Sequence, residues 1–257
     1  MKIEAQIYLN DGRLPITLNW VCPYCVEGRL ELDNARLRIE EYENSKKKRG
    51  IYDIENPWVE FESCCAGILK CNNKICGELV SFCGTLRGED IECDDPSSET
   101  GTSFVYLEFI EPLFIHPSPH LIKMSSHYPK TVTAHLQESF RLFWVDKMSC
   151  ANKLRVVVED VLNHFKVKRT NKNRKPLTTH DRLEIFSKNP RFTDPARYLL
   201  AIKWIGNIGS HSGRFDDKVL ESGFDFIEKA LNSLFIKSDE ELKKTREKII
   251  RTKGRIR

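Results

Sequence analysis

Two periodicities divide the chain. Its first part carries short runs in which apolar positions alternate with polar ones. Trp58-Val-Glu-Phe-Glu62 is such a run, Leu79-Val-Ser-Phe-Cys83 is a second short strand candidate, and the mostly apolar residues 104–110 are the strongest. A period of two is the signature of half-buried β-strands. From Thr131 the period becomes helical. Leu136, Phe140, Phe143 and Trp144 fall at i, i+4, i+7 and i+8. Leu154, Val158, Val161, Leu162 and Phe165 repeat the pattern, as do Phe224, Ile227, Leu231, Leu234 and Phe235. Between the two regimes lie Pro112, Pro117, Pro119 and Pro129. Proline and the residue before it avoid helix, so residues 112–129 read as an extended connector.

Local signals punctuate the helical part. Thr178 with Asp181 three residues on predicts a capped helix start. Asp194-Pro195 predicts another, with Asp as N-cap and Pro at the first helical position. Ser238-Asp-Glu-Glu241 opens a last, basic helix, for about six helices in all. The pattern predicts an α+β protein. A β-rich region spans 1–115, a proline-rich connector 116–129 and a helical bundle 130–257.

Composition narrows the class. The chain has 257 residues, 40% apolar and 30% charged, a balance typical of folded soluble proteins. No stretch approaches the length of a membrane helix. The N-terminal residues lack a signal-peptide pattern. Together these predict a cytoplasmic protein that does not engage membranes. The formal net charge of +4 permits a nucleic-acid partner without arguing for one.

Cysteine usage adds chemistry. Of nine cysteines, eight lie between residues 22 and 93 and only Cys150 lies outside. In a reducing compartment such clustering reads as metal binding rather than disulfides. Cys22-Pro-Tyr-Cys25 has the spacing that lets two thiolates reach one ion from a tight turn. Cys71-Asn-Asn-Lys-Ile-Cys76, followed by Gly77, supplies a second pair. Four thiolates would close a tetrahedral shell around Zn2+ and leave no position for a catalytic water, which makes the site structural. The 45 residues between the pairs exceed the usual ribbon spacing, so the charged segment with residues 45–50 must loop out. Cys64, Cys65, Cys83 and Cys93 remain rival ligands, or small core residues.

A second informative stretch is residues 198–213. Leu199, Ile202 and Ile205 form a buried stripe, while Lys203, Asn207 and His211 recur every four residues along another face. Gly206, Gly209 and Gly213 interrupt it, which suggests close backbone approach or a helix end. Imidazole, amide and amine on one stripe suit a phosphodiester. The plainer reading is that Asn207 and His211 fix packing against a neighbour. Arg155 and Glu159, at i and i+4, either face this stripe or form an ion pair. The loop 166–176 carries Lys168, Arg169, Lys172, Arg174 and Lys175, and residues 243–257 are also basic. Both are candidate phosphate contacts or solvated surface charge. A nucleotide-binding glycine loop is absent from the sequence.

The ordered set resembles the bacterial domain-of-unknown-function family 4145. It comprises Cys22-Pro-Tyr-Cys25, Cys71-Asn-Asn-Lys-Ile-Cys-Gly77, the proline connector, Leu154-Arg-Val-Val-Val-Glu159, Arg182-Leu-Glu-Ile-Phe186 and Ile205-Gly-Asn-Ile-Gly-Ser-His211. The resemblance covers nearly the whole chain. It implies a zinc ribbon followed by a HEPN-like bundle of four to five helices. Many such bundles are metal-independent ribonucleases of prokaryotic defence or toxin systems, and they commonly act as homodimers. Their motif is arginine, a polar residue, three residues, then histidine. Asn207 and His211 match it, and Gly206 stands in the arginine place. Lys203, Arg214 or Arg155 is then expected to supply the charge.

Two functions follow. One is an endoribonuclease, with His211 moving a proton, Asn207 orienting the site and Lys203 or Arg155 beside the phosphate. The other is a zinc-ribbon and helical module that binds nucleic acid or protein without catalysis. The expected partners are a second copy, RNA and a defence-system protein.

Overall fold

The computed structural model describes residues 6–9, 16–52, 62–94, 97, 101–211, 217–236 and 246–252. The chain forms two compact units, Lys2–Leu121 and Ile122–Arg257.

The first unit is a six-stranded antiparallel sheet of order β1-β6-β5-β4-β3-β2. Its strands are β1 (Ile7–Tyr8), β2 (Ile16–Val21), β3 (Arg29–Glu41), β4 (Glu62–Cys71), β5 (Leu79–Asp94) and β6 (Thr102–His116). Strands β2 to β6 form a meander in which each pairs with its sequence neighbour, and β1 joins the outer edge of β6. Alternation builds the buried face. Leu18 and Trp20 of β2 are buried while Thr17 and Asn19 are exposed. On β5, Val80 and Phe82 are buried between exposed Leu79, Ser81 and Cys83. Gly67 of β4 makes room for the Phe82 ring, since a Cβ there would lie 2.6 Å from it.

The sequence places an extended connector from Pro112, yet β6 continues to His116. The ladder shifts register between Cys83 and Gly84, and Gly84 then faces Pro112. A bulge is where a sheet tolerates proline, because the missing N–H falls at a break in the ladder. The charged segment 45–50 lies within α1 (Glu43–Tyr52), which follows the distal end of β3. The strand expected at 58–62 lies outside the described residues except for Glu62, where β4 begins.

The second unit is helical: α2 (Lys130–Val145), α3 (Lys147–His164), α4 (Thr179–Ser187), α5 (Thr193–His211) and α6 (Asp217–Phe235). Asp146 separates α2 from α3. It caps α3 by accepting from the backbone N–H groups of Met148 and Ser149, both at 3.0 Å. The capping box before α4 forms between Thr178 and Asp181. A 3-10 turn, Pro190–Phe192, leads into α5, which starts at Thr193 with Asp194 already in its first turn. Helix α3 packs against α2 and α5, and α5 against α4 and α6. The apolar stripes meet there. Leu136, Phe140 and Phe143 join Leu154, Val158, Leu199, Ile202, Phe224 and Ile227, all essentially fully buried. Phe224 lies 5.7 Å from the Phe143 ring in an edge-to-face contact. The helix start expected at Ser238 lies outside the described residues. No helix among the described residues is long and apolar enough to cross a membrane.

Candidate functional site

The two cysteine pairs occupy two turns at one end of the sheet. Cys22 and Cys25 sit in the β2–β3 turn, Cys71 and Cys76 at the β4–β5 turn. Strands β3 and β4 are neighbours, with Leu30 opposite Cys71, so the turns lie side by side. This resolves the long spacing. The chain leaves along β3, passes through α1 and returns along β4, so the excess length lies at the far end of the pair.

The four sulfurs lie within 4.8 Å of one another. Cys22 Sγ is 3.8 Å from Cys76 Sγ, and Cys25 Sγ is 3.6 Å from Cys71 Sγ. Metal–sulfur bonds of about 2.3 Å in a tetrahedron put sulfurs roughly 3.8 Å apart. A disulfide needs about 2.05 Å, and all four cysteines are free thiols. The group could therefore hold one metal ion. Cys64 and Cys65 stand outside it, six or seven residues along β4 from Cys71, about 20 Å at strand rise. Cys65 is buried, and burial pushes its thiol up to about 11. Cys83 and Cys93 are exposed on β5 and also outside the cluster.

The backbone prepares these thiols. Gly28 N–H donates to Cys25 Sγ at 3.3 Å, and Tyr24 N–H to Cys22 Sγ at 3.5 Å. Donation from Gly28 and Glu27 lowers the Cys25 thiol to about 6, while burial raises Cys71 to about 12. A residue with positive φ ends each turn: Val26 at 55° after Cys25, and Gly77 at 58° after Cys76. At Gly28 the two turns come close. A Cβ there would lie 2.3 Å from Cys71 Sγ and 2.9 Å from Asn73 Cβ.

Two asparagines emerge that the cysteine spacing did not reveal. Arg29 N–H donates to Asn72 Oδ1 at 2.8 Å, and Asn72 N–H donates to the Arg29 carbonyl at 2.9 Å. Asn72 thus ties one turn to the other. Asn73 Oδ1 accepts from Ile75 N–H at 3.0 Å and shapes the second turn. The sequence signal was present, since Asn in a tight turn commonly bonds the backbone two residues on.

The polar stripe of the helical unit is assembled only in part. Lys203 and Asn207 lie on α5, half-buried, and the Lys203 ammonium sits 3.3 Å from the centroid of the Trp204 ring. His211 is the last residue of α5, and its side chain lies outside the described residues, as does Arg214. Gly206 allows α3 to approach closely. A Cβ there would lie 3.0 Å from both the Ala151 carbonyl oxygen and Arg155 Cβ. Arg155 therefore packs against Gly206, and its Nε is buried without a hydrogen-bond partner. Glu159 turns elsewhere and accepts from Thr179 Oγ1 at 3.0 Å. Among the described residues no ion pair joins Arg155 to Glu159.

The basic loop is an ordered hairpin. Thr170 bridges Pro176, Leu177 N–H donates to the Arg169 carbonyl, and Asn171 Oδ1 accepts from the N–H groups of Asn173 and Lys175. Lys168, Arg169, Lys172, Arg174 and Lys175 are all exposed. An open groove of about 490 Å³ is lined by Lys168, Arg169 and Lys172 over Leu177 and Ile185. Asn163 anchors the base of the hairpin: its Oδ1 accepts from Arg169 Nε at 3.0 Å and from the buried Arg182 at 2.8 Å. Of residues 243–257, those at 246–252 are described, and 246–251 are helical.

Residues 137–253 match the family described as Domain of unknown function (DUF4145), which supports that resemblance for the helical unit. Residues 14–115 match a different family, Domain of unknown function (DUF8608). The resemblance had extended the first family across both cysteine pairs. Paired cysteines recur in many metal-binding turns, so they carried less family information than the helical motifs. No curated protein and no solved structure matches the chain.

Proposed function

We propose that this protein binds RNA through the 166–176 hairpin of its helical unit and fastens its β-sheet unit with a structural zinc ion. The groove lined by Lys168, Arg169 and Lys172 carries the RNA reading. A turn locked by Asn171 displays these cations at low ordering cost, and phosphate contacts supply most of the affinity of such surfaces. Zinc suits four soft thiolates in a closed tetrahedron, which oxygen-seeking cations do not. Fluorescence anisotropy with a labelled single-stranded RNA tests the binding reading. Affinity should fall steeply with salt, with a slope of about −0.7 per phosphate neutralised. Combined Lys168→Glu and Lys172→Glu substitutions should flatten that slope. Salt-independent binding, or an unchanged slope in the variant, refutes the reading. Elemental analysis should find one zinc per chain, lost in Cys22→Ser.

One observation favours a second reading, RNA cleavage at α5. Gly206 stands where the ribonuclease motif has arginine, and the space it leaves admits Arg155 of α3 against α5 at that position. In this reading Arg155 faces the phosphate, Asn207 orients it, and His211 takes the 2′-hydroxyl proton or gives one to the leaving oxygen. A homodimer would pair two such centres. RNA degradation that persists unchanged in His211→Ala excludes this mechanism.

A further inference from the structure

We infer that Trp204 is a stacking platform for an unpaired base, so that the nucleic acid bound is single-stranded; this rests on the RNA-binding reading above. The indole is out of place for folding alone. Its helix neighbours Leu199, Ile202 and Ile205 are buried, and Trp20 and Trp144 are each 5% exposed, yet Trp204 is 53% exposed. An exposed tryptophan forgoes a large apolar burial, and such rings concentrate where a ligand or partner covers them.

The surroundings indicate the ligand. The Lys203 ammonium sits over the indole ring. The His180 ring, from the first turn of α4, lies 6.3 Å away and supplies a second planar group. Arg197, two turns before Trp204 on α5, lines the adjoining groove between α4 and α5 with His180, Glu184 and Leu200. Glu184, 3.5 Å from His180 Nε2, brings one negative charge to the groove against the two positive charges of Lys203 and Arg197. That groove holds about 100 Å³, well below the roughly 300 Å³ of a pocket that encloses a small ligand. A base therefore lies on the indole face opposite the Lys203 ammonium instead of sinking into a slot. Aromatic surface flanked by cations is how proteins grip single strands with little regard to base identity. The basic hairpin runs directly into α4 through the Thr178 cap, so phosphates on the hairpin and a base on Trp204 would belong to one bound strand.

The test compares a short labelled single-stranded RNA with an abasic strand of equal length and charge, each titrated against the intact protein. Trp204→Ala should lower affinity for the RNA about five- to hundredfold, the range of one base–aromatic stack, and leave abasic binding unchanged. Trp204→Phe should restore most of the loss. Intrinsic fluorescence should be quenched by the RNA and not by the abasic strand. Equal affinity of the wild type for both strands, unchanged in Trp204→Ala, overturns the stacking site and leaves phosphate binding standing. Failure of the wild type to bind either strand overturns both readings. If Trp204→Ala instead lowers the molecular mass in light scattering with RNA affinity intact, the indole is a protein contact and the inference fails.

Discussion

Replacing Gly28 by alanine is a one-methyl probe of whether the two cysteine turns stand as close as described. The added Cβ would meet Cys71 Sγ at 2.3 Å, Asn73 Cβ at 2.9 Å and Asn73 N at 3.2 Å. Ordinary contact between such atoms is about 3.5–4.0 Å, so the sulfur must retreat by more than about 1 Å. It cannot do so freely. Cys71 is buried, its N–H is bonded to the Glu78 carbonyl at 2.9 Å, and Asn72 beside it is bonded to Arg29. Overpacking of this kind costs about 1–3 kcal/mol. Because the displaced Sγ would be a ligand in the proposed zinc site, the cost should appear as metal affinity weakened roughly five- to 150-fold. Competition against a chromophoric chelator measures it, with thermal unfolding of the metal-loaded and metal-free protein in parallel. Gly77→Ala is the control: its Cβ would find only Lys70 Cε at 3.9 Å, so its penalty comes from the positive φ of 58° and not from a clash. Wild-type metal affinity and melting in Gly28→Ala would refute the juxtaposition of the turns, and with it the four-thiolate centre.

Three further outcomes are expected. Val26→Gly should raise the melting temperature of the metal-loaded protein, because a β-branched residue at φ 55° costs about 1–2 kcal/mol and glycine returns only part of that as chain entropy. Asp146→Ala should destabilise the helical unit by about 1 kcal/mol at neutral pH through loss of the α3 cap. The Ser149 hydroxyl and N–H hold the Asp146 carboxyl below its usual range, so its contribution is present above about pH 4 and is lost as pH falls through the depressed value. Urea titrations of wild type and variant should therefore converge in acid, and a gap that widens there would contradict the capping role. Gly206→Ala should destabilise on balance, since a helix gain of about 1 kcal/mol opposes a contact of 3.0 Å with an immovable backbone oxygen of Ala151 that costs about 1–3 kcal/mol. A more stable variant would show that α3 and α5 have room to part.

Legibility followed the range of the interaction. The helical stripes were readable because a period of 3.6 is local, and Leu136, Phe140, Leu154 and Ile202 are buried as their spacing implies. The Thr178–Asp181 box was readable for the same reason. The extent of β6 was not, because Pro112 speaks against a strand until the bulge beside it at Leu113 is known, and that bulge is defined only by the pairing with Cys83 and Gly84 of β5. The cysteine cluster was legible in its members, since Cys22, Cys25, Cys71 and Cys76 were paired from the sequence and are the four that meet. What sets Cys64 and Cys65 apart is strand register, which spacing does not show. The role of Asn72 depends on Arg29, 43 residues earlier in sequence. The closeness of Arg155 to Gly206 was one of the readings left open, and only how two helices cross decides it.

The pairing of Ile7 with Ile110 has a consequence for the order of events during synthesis. Strands β2 to β6 can zip together as each emerges, because each needs only its predecessor. Strand β1 must wait for about a hundred further residues, some 5–20 s at ordinary translation rates. Cys22 and Cys25 likewise leave the ribosome long before Cys71 and Cys76, so the four thiols can meet only after β4 and the turn that follows it have emerged. The completed thiol cluster then marks the moment at which β2, β3 and β4 are joined, with β5, β6 and β1 still to be added.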